Sequence, residues 1–398
     1  MEVRKLAIGE HGNTRALWEA VFPEDTKQFL DYYYFLKTRE NEIYVVEEDH
    51  QIRSMLQLNP YSLQVAQEQF TGHYIIAVAT DPGYRKRGYM GALLRKSMEE
   101  MYDRGELFTY LMPAAESIYT PYDFRFVYDQ DVWEYDTNVD HGVIEEETSC
   151  HHDQDAEARI QVAETRIQVI EAGLGDGALL AEFFQTNFAN HYQVYANRNE
   201  GYYQTMLFEQ QSENGGIRLL KKENQVVGTF LYSDEGELEI REPLCLPGYE
   251  EAMYGAFFEL CQERHYESAQ IAASSWKPNH GHMEKKPVIM VRILHLEKLL
   301  KLLRVRDGET IHCSFAVLDP LITKNSRVWR LQGEEELQVS ETEDSEGVLT
   351  IGALTSLLFG YRTVEEIAQE EHVFLTDHLK EELNKIQPLN AIFLNEIV

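Results

Sequence analysis

The chain has 398 residues, which is enough for two or three domains. Hydrophobic residues make up 43% of the sequence and aromatic residues 11%, so ordinary cores can form and wholesale disorder is excluded. The net charge is −32, and so acidic a surface repels phosphate backbones and anionic lipids, which argues against nucleic-acid and membrane partners.

Two changes in composition divide the chain into three blocks. Residues 143–157 are strongly acidic and almost free of apolar side chains, which is typical of a linker. A softer break lies at residues 277–286, where proline, asparagine and glycine cluster. We therefore expect domains at residues 1–142, 160–286 and 287–398, all of the mixed α/β class.

The first block alternates strand and helix patterns. Residues 42–48 and 54–58 are predicted strands, and the apolar run at 74–80 predicts a buried strand. Residues 89–101 carry apolar side chains at spacings of three and four, which predicts an amphipathic helix, and a strand is expected at 108–112. A strand, a short loop, a helix and a strand in this order indicate an α/β unit with a right-handed crossover.

A basic turn, DPGYRKRG, lies between the apolar strand and this helix. Arg85, Lys86 and Arg87 are three adjacent cations in an otherwise acidic chain. The amino end of a helix presents unpaired N–H groups and a partial positive charge, and Gly88 lets the backbone approach a ligand closely. The turn therefore suits a pyrophosphate. A solvated basic turn is the alternative, because the RxxG pattern is short and common.

The pattern RxxGx before a small or apolar residue, at the start of an amphipathic helix, resembles the acetyl-CoA loop of the GNAT acetyltransferases. The segment ESIYTPYDF at residues 116–124 is similar to one in their Eis (enhanced intracellular survival) branch, which consists of three-domain bacterial enzymes. The resemblance covers the whole chain in layout and residues 74–128 in motifs. It implies tandem GNAT-like acetyltransferase folds, then a sterol-carrier-like C-terminal domain, and N-acetyl transfer from acetyl-CoA.

An internal echo supports the duplicated fold. Residues 82–94, PGYRKRGYMGALL, are similar to residues 247–258, PGYEEAMYGAFF, which are one position shorter. In the second copy Glu250 and Glu251 stand where the first has Arg85 and Lys86. Two carboxylates facing a pyrophosphate would repel it, so we expect no cofactor site in the middle block. The echo is brief, and chance similarity is the alternative.

The resemblance implies an acid and a base for the reaction. Tyr119, the tyrosine of the family's Ile-Tyr pair, would be the general acid, because a phenol with a pKa of ~10 is protonated at neutral pH. The C-terminal carboxylate of Val398 would be the general base. Glu116 and Glu396 are rival bases. Core packing is the alternative for Tyr119, and a tail packed on its own domain is the alternative for the chain end.

The cofactor contacts also carry over by position. Backbone groups of the strand would bind the pantetheine arm as an added strand would, the turn would wrap the pyrophosphate, and two alanines would lie at the thioester end. These residues are Val78, Ala79, Thr80, Arg85, Lys86, Arg87, Gly88, Tyr89, Met90, Gly91, Ala114 and Ala115. The chain departs from the family at the two alanines, where the family has Ser-Glu.

An acidic and aromatic cluster near the amino end is the predicted acceptor site. It consists of Phe22, Glu24, Asp25 and Tyr34. By charge and by stacking, such a cluster suits a cationic small molecule such as a polyamine or an aminoglycoside. Ordinary helix packing of the aromatic side chains is the alternative.

Metal and disulfide sites are not expected. The histidine pairs at 151–152 and at 280 and 282 lie in polar loops without a third placed ligand, and the four cysteines show no CxxC spacing. The amino end lacks an apolar stretch of signal-peptide length, and no run approaches the ~20 apolar residues of a membrane span. The sequence therefore predicts a cytoplasmic protein.

Two further functions compete with acetyl transfer. One is a non-catalytic CoA-binding sensor or scaffold. The other is an aminoacyl-tRNA-dependent transferase, which also uses tandem folds of this kind; the net charge argues against a tRNA partner, and the RKRG turn favours CoA. The family resemblance also implies a homo-oligomer, a closed hexamer.

Overall fold

The computed structural model describes residues 2–138, 167–273 and 283–396. The predicted linker at 143–157, both histidine pairs and Val398 lie outside the described residues. The chain divides into two compact units. The first consists of Met1–Asp129, His191–Asn197 and Pro287–Val398, and the second of Gln130–Asn190 and Arg198–Lys286.

The amino-terminal part of the first unit is a mixed sheet with helices. Its strands are β1 (Val3–Lys5), β2 (Glu42–Glu48), β3 (Gln51–Val65), β4 (Glu68–Thr80) and β5 (Phe108–Leu111). Its helices are α1 (Arg15–Val21), α2 (Lys27–Phe35), α3 (Tyr89–Arg104) and α4 (Glu116–Tyr119). The strands lie in numerical order, antiparallel except for β4 and β5, which are parallel and joined by α3. The predicted strand–loop–helix–strand order is confirmed.

Helix α3 is bounded by two glycines, as its sequence predicts. Gly88 and Gly105 both adopt left-handed backbone conformations, with φ of 83° and 84°. Any other residue would be strained in this backbone conformation, so glycine is favoured at both ends of the helix. The predicted apolar face is buried, including Leu93, Leu94 and Met98. This packing holds the basic turn at the carboxyl end of β4.

The following elements belong mostly to the second unit. They are β6 (Arg125–Asp136), β7 (Ile167–Glu171), α5 (Gly177–Asn187), β8 (Val194–Ala196), α6 (Glu200–Ser212), β9 (Gly216–Lys222), β10 (Gln225–Asp234), β11 (Leu238–Cys245), α7 (Glu250–Arg264) and β12 (Ser268–Ala273). Strand β8 and the first residues of β6 belong to the first unit. In the second unit the strand order is β7-β9-β10-β11-β12-β6, and only β11 and β12, joined by α7, run parallel.

The two units therefore repeat one topology. In each, three antiparallel ladders are followed by a parallel pair with a helix between its strands. The fourth strand also carries a bulge at the same place, because Ala77 and Glu242 have φ of 51° and 55° and each lies five positions before its Pro-Gly-Tyr sequence. Non-glycine residues with positive φ are uncommon, so the matched bulges support a duplicated fold.

The C-terminal part of the first unit contains a second, smaller sheet. The elements are β13 (Glu284–Ile293), α8 (Leu296–Leu302), β14 (Arg304–Val305), β15 (Ile311–Leu318), β16 (Val328–Gly333), β17 (Gln338–Glu341), β18 (Gly347–Thr350), α9 (Ile351–Leu358), α10 (Val364–Ile367), β19 (Phe374–Leu375), α11 (Asp377–Leu383), β20 (Ile386–Gln387) and β21 (Ile392–Phe393). Its sheet has the order β17-β16-β15-β18-β19, and β13 pairs antiparallel with β5.

A buried ion pair joins the C-terminal and amino-terminal parts of the first unit. Arg292 and Asp319 are both fully buried and lie 2.5 Å apart. The Arg292 Nε also donates a hydrogen bond to the carbonyl of Tyr122 at 2.9 Å. Because a buried charge needs a partner, the pair holds the segment after α4 against the C-terminal part. No helix in the described ranges is long and apolar enough to cross a membrane.

Candidate functional site

Strands β4 and β5 separate toward the carboxyl end of β4. They pair at Tyr74 and Tyr110, and within the described residues their ladder does not continue toward Thr80. On its other side β4 stays paired with β3, and Ser54 Oγ donates to the carbonyl of Ala79 at 2.8 Å. The bulge at Ala77 lies where the separation begins. An opening of this kind can accept an extended ligand as an added strand.

The basic turn is anchored at its base and exposed at its tip. The Asp81 carboxylate accepts the Gly83 N–H at 2.9 Å and forms an ion pair with Arg53 at 3.0 Å. Lys86 and Gly88 both have positive φ, which curves the chain into the start of α3. The side chains of the three cations, Arg85, Lys86 and Arg87, point to the surface and are exposed.

The amino end of α3 is available to an anion. Gly88 is the N-cap residue, and in the described structure no side chain caps the helix. In the described structure no side chain caps the matching helix α7 either, but two carboxylates lie at its start. The Glu250 carboxylate accepts the Gly248 N–H at 2.8 Å, and Glu251 lies in the first turn. The second unit therefore places negative charge at the corresponding helix end, whereas the first unit places cations there.

The three cations of the turn have different surroundings. Arg85 makes one weak hydrogen bond, to the Thr80 carbonyl at 3.4 Å, and neither Arg85 nor Lys86 forms an ion pair with any described residue. Arg87 is engaged, because it lies 3.7 Å from the Glu48 carboxylate and 4.4 Å from the centroid of the Tyr84 ring. Arg85 and Lys86 are therefore the cations most available to a phosphate.

Glu48 was not predicted from the sequence, yet it lies beside the turn. Besides Arg87, its carboxylate accepts a hydrogen bond from the Tyr89 hydroxyl. The Tyr89 side chain therefore points to β2, and only the backbone of this predicted cofactor residue remains at the helix end. A carboxylate this close competes with a bound phosphate for Arg87.

We expect Glu48→Gln to tighten CoA binding by about two- to fivefold, because exposed charge interactions of this kind contribute roughly 0.2–1 kcal/mol. The amide can still accept the Tyr89 hydrogen bond, so the fold should be unaffected. Glu47→Gln is the matched control, since Glu47 pairs with Arg4 at 2.6 Å instead. Calorimetric titration of both variants with CoA is the measurement, and equal affinities would show that Glu48 does not oppose the ligand.

Tyr122 packs on the first turn of α3. A Cβ added at Gly91 would lie 2.9 Å from the Tyr122 hydroxyl oxygen, so only glycine permits this close approach. Met90, on the same turn, is half-buried against the core cluster that also contains Val78 and Tyr119. The structure thus brings the end of β4, the start of α3 and the segment after α4 together around one site.

Tyr119 is the buried phenol of this cluster. Its side chain is 7% exposed, and its ring packs edge-to-face on Phe124 with centroids 5.8 Å apart. Burial raises its pKa from the ordinary value of 10.0 to about 12. The phenol is therefore protonated throughout the neutral range and can act as a proton donor. Core packing and a catalytic role are compatible at this position.

The residues between β5 and α4 are exposed. Ala114 and Ala115 both lie at the surface, and Ala115 is the N-cap residue of α4. Glu116, one of the rival bases, begins α4 and is also exposed. Met112 lies just before the alanines, and its N–H donates to the Tyr74 hydroxyl at 3.3 Å. Two alanines contribute no polar side chain at this position.

The predicted acceptor residues gather around Trp18 at the junction of α1 and α2. The Trp18 Nε1 donates to the Asp25 carboxylate at 2.5 Å, and burial raises the Asp25 pKa. Phe22 is half-buried against the Trp18 ring, whereas Glu24 is exposed. The Tyr34 hydroxyl is hydrogen-bonded to Thr14 and Gln57, and burial raises its pKa to about 12. Three of the four predicted acceptor residues thus have partners within the fold.

The chain end lies beside the amino-terminal sheet. Strand β21 pairs in parallel with β8, and β8 pairs antiparallel with β3 in the same unit. After β21 the residues remain buried, and Leu394 and Glu396 are 0% and 1% exposed. The tail therefore pairs with a strand of the amino-terminal sheet and not with the smaller C-terminal sheet. Among the described residues, no group of three or more His, Cys, Asp or Glu side chains is placed to hold a metal ion.

Two family models match parts of this chain. Residues 2–127 match the family model of the acetyltransferase (GNAT) domain, and residues 296–397 match that of the sterol carrier protein domain. A comparison with curated proteins gives no match. Within its amino-terminal part, this chain therefore contains a GNAT domain, followed at the carboxyl end by a sterol-carrier domain.

Solved structures share the fold over the whole chain. A probable N-acyltransferase from Enterococcus faecalis V583 is 17% identical with a TM-score of 0.80, covering 100% of this chain and 99% of that one. A GCN5-related N-acetyltransferase from Anabaena variabilis is 14% identical with a TM-score of 0.76, covering 99% of both chains. Eis1 from Mycobacterium abscessus is 12% identical with a TM-score of 0.68, also covering 99% of both chains.

The predicted resemblance to the Eis proteins and the predicted fold class are thus supported. The chain is an acyltransferase with an amino-terminal GNAT domain, a domain whose fold binds an acyl-CoA. Sequence reasoning missed Glu48, Tyr122 and strand β8. The first two are brought to the turn only by strand pairing and by the C-terminal part, and the short run VYA of β8 carries no periodicity that could have been recognised.

Proposed function

We propose that this protein transfers the acetyl group of acetyl-CoA directly to an amine of a cationic small molecule, similar to a polyamine or an aminoglycoside. The observation that carries the proposal is the exposed turn of Arg85 and Lys86 at the uncapped end of α3, next to the opening between β4 and β5. The buried phenol of Tyr119 lies in the same cluster as Val78 and Met90.

The residues fit acetyl-CoA in three respects. The helix end and two cations without ion-pair partners among the described residues suit the pyrophosphate, Gly91 leaves room for Tyr122 to pack on the first turn of α3, and the last residues of β4 can pair with the pantetheine arm. When bound, acetyl-CoA supplies an acetyl group activated as a thioester. The second unit lacks the cations, which supports one cofactor site per chain.

In the proposed mechanism the chain supplies one proton acceptor and one proton donor. The α-carboxylate of Val398, assigned by the family resemblance, accepts a proton from the substrate ammonium group so that the free amine can attack the thioester carbon. As the carbon–sulfur bond breaks, the phenol of Tyr119 donates its proton to the departing sulfur, so that CoA leaves as the neutral thiol. The proton that the attacking nitrogen loses when the amide forms returns to the Tyr119 phenolate, and the phenol is restored.

The proposal is tested first by release of the CoA thiol in the presence of a polyamine, an aminoglycoside and a simple monoamine. We expect release with the polycations and much less with the monoamine. Tight CoA binding without release for any amine would favour the non-catalytic sensor. We also propose, from the family resemblance, that the protein assembles as a homohexamer, which light scattering after size exclusion would test.

We expect Tyr119→Phe to lower kcat by ~10² or more and to leave CoA affinity nearly unchanged, because only a proton donor is removed. Tyr254→Phe, a buried tyrosine in the core of the second unit, is the matched control. The pKa of about 12 means that the working, protonated form persists to high pH, so kcat should not fall between about pH 8 and 10 through loss of this proton. An unchanged kcat in Tyr119→Phe would make Tyr119 a packing residue only.

A further inference from the structure

We infer that Gln193 is a positioning residue that fixes the C-terminal tail of this protein and so places its terminal carboxylate. The inference rests on the proposed role of Val398 as the general base. It concerns a residue far in sequence from either predicted catalytic group. Gln193 lies in His191–Asn197, the short segment that belongs to the first unit although second-unit residues flank it on both sides.

The Gln193 side chain holds the tail by its backbone. Its Oε1 accepts the N–H groups of Asn390 at 3.0 Å and Ala391 at 3.3 Å. Its own N–H donates to the Ala391 carbonyl at 2.6 Å, and the Val194 N–H donates to the same carbonyl at 3.2 Å. Gln193 therefore satisfies three backbone groups of two successive tail residues, just before β21 begins.

An aromatic contact lies beside these hydrogen bonds. The ring of Tyr192 stacks on that of Phe393, with centroids 4.6 Å apart and ring planes 16° apart. Strand β21 itself is only two residues long, pairing Ile392 with Val194 and Phe393 with Tyr195. So short a ladder specifies the strand register only weakly. The additional contacts of Tyr192 and Gln193 therefore fix the register of the tail.

The pairing also gives the tail a direction. Because β21 is parallel to β8 and β8 is antiparallel to β3, the tail runs antiparallel to β3. Ile392 and Phe393 are level with Val65 and Gln64.

The register fixed at Gln193 sets the position of every residue after it. A slip of one residue there would shift the following tail by ~3.3 Å. Displacements of ~1 Å can lower a rate by 10²-fold.

The test compares Gln193→Met with Gln193→Glu in the full chain. Methionine keeps the length of the side chain and removes the acceptor, whereas glutamate keeps an acceptor oxygen. Gln64→Met is the control, because Gln64 is a half-buried glutamine at the same sheet edge whose side chain donates to the Ala66 carbonyl and not to the tail.

We expect Gln193→Met to lower kcat at least tenfold, with the Kd for CoA within twofold of the parent, and to speed amide hydrogen exchange at residues 390–393. Gln193→Glu should retain most of the parental kcat and keep amide exchange at residues 390–393 slow. Gln64→Met should change neither kcat nor this exchange. Parental kcat in Gln193→Met, or parental exchange at 390–393, would each overturn the inference. The proposed function fails on a different result. Turnover that survives loss of the Val398 carboxylate refutes its role as the general base, whereas amide exchange at residues 390–393 still shows whether Gln193 fixes the tail.

Discussion

Deletion of Val398, or addition of two glycines after it, is expected to lower turnover by ~10² or more without loss of CoA binding. The tail is fixed at β21 and buried as far as Glu396, which is only two residues before the terminal carboxylate in the sequence. Deletion moves the carboxylate by up to ~3.6 Å along an extended chain, and extension moves it the other way. Thiol release with a saturating polyamine, beside calorimetric titration with CoA, measures both effects.

The controls separate the carboxylate from the side chain and from its rivals. Val398→Ala keeps the carboxylate in place and should retain most activity. Glu116→Gln should also retain it, because Glu116 is exposed at the start of α4. Because Glu396 is 1% exposed, the activity of Glu396→Gln is compared with that of the chain extended by two glycines. If Glu396→Gln is inactive and the extended chain works at the parental rate, then Glu396 is the base and Val398 is not.

Reversal of the two available cations, Arg85→Glu with Lys86→Glu, is expected to abolish CoA binding. A hydrogen bond to a charged group contributes about 1.5–3 kcal/mol, so the loss of two weakens binding by roughly 3–6 kcal/mol, or at least 10²-fold. The change copies the acidic residues that stand at the same positions in the second unit, Glu250 and Glu251. Calorimetric titration with CoA is the measurement.

This double reversal should leave folding intact, because neither cation forms an ion pair with a described residue and the turn is held by Asp81 instead. Arg95→Glu with Lys96→Glu is the matched control, with the same charge change on the exposed face of α3. It removes only the surface pair of Lys96 with Glu100, which contributes little. Affinity within threefold of the parent in the Arg85 and Lys86 variant would exclude the pyrophosphate role.

Much of the first unit follows from local sequence. The strand at 42–48 coincides with β2, and the helix predicted at 89–101 is α3, one turn longer than its apolar pattern. Glycines at 88 and 105 mark its ends because they alone adopt left-handed φ without strain. These are short-range properties, because the pattern that predicts each element lies within a few residues of that element.

The available anion site was also predictable, for a related reason. A buried strand, a basic turn and an amphipathic helix are contiguous in the chain, so the position of the cations at the helix end needs no distant contact. The charge difference between the two similar segments likewise predicts that only the first suits an anion. In the second, the Glu250 carboxylate accepts a hydrogen bond from the Gly248 N–H.

The predicted acceptor residues show where composition leaves two uses open. Acidic and aromatic side chains near the amino end suggest a polycation site, but Trp18 takes up the Asp25 carboxylate and a hydrogen bond to Thr14 holds Tyr34. The same side chains can bind a ligand or satisfy one another. Only packing decides between these uses, because a partner seven or twenty positions away leaves no local pattern.

The sequence by itself determined the strand–turn–helix of the candidate cofactor site, the repeat of its architecture and the absence of cations from the second copy, because periodicity, glycine positions and charge are local. Tertiary structure alone decided that β8 joins the first unit, that Gln193 meets the tail and that Arg292 holds the turn after Tyr119. Strands of two or three residues, such as β8 and β21, are too short to carry a periodic pattern, and β8 is stabilised by partners roughly 130 and 200 residues away in the chain.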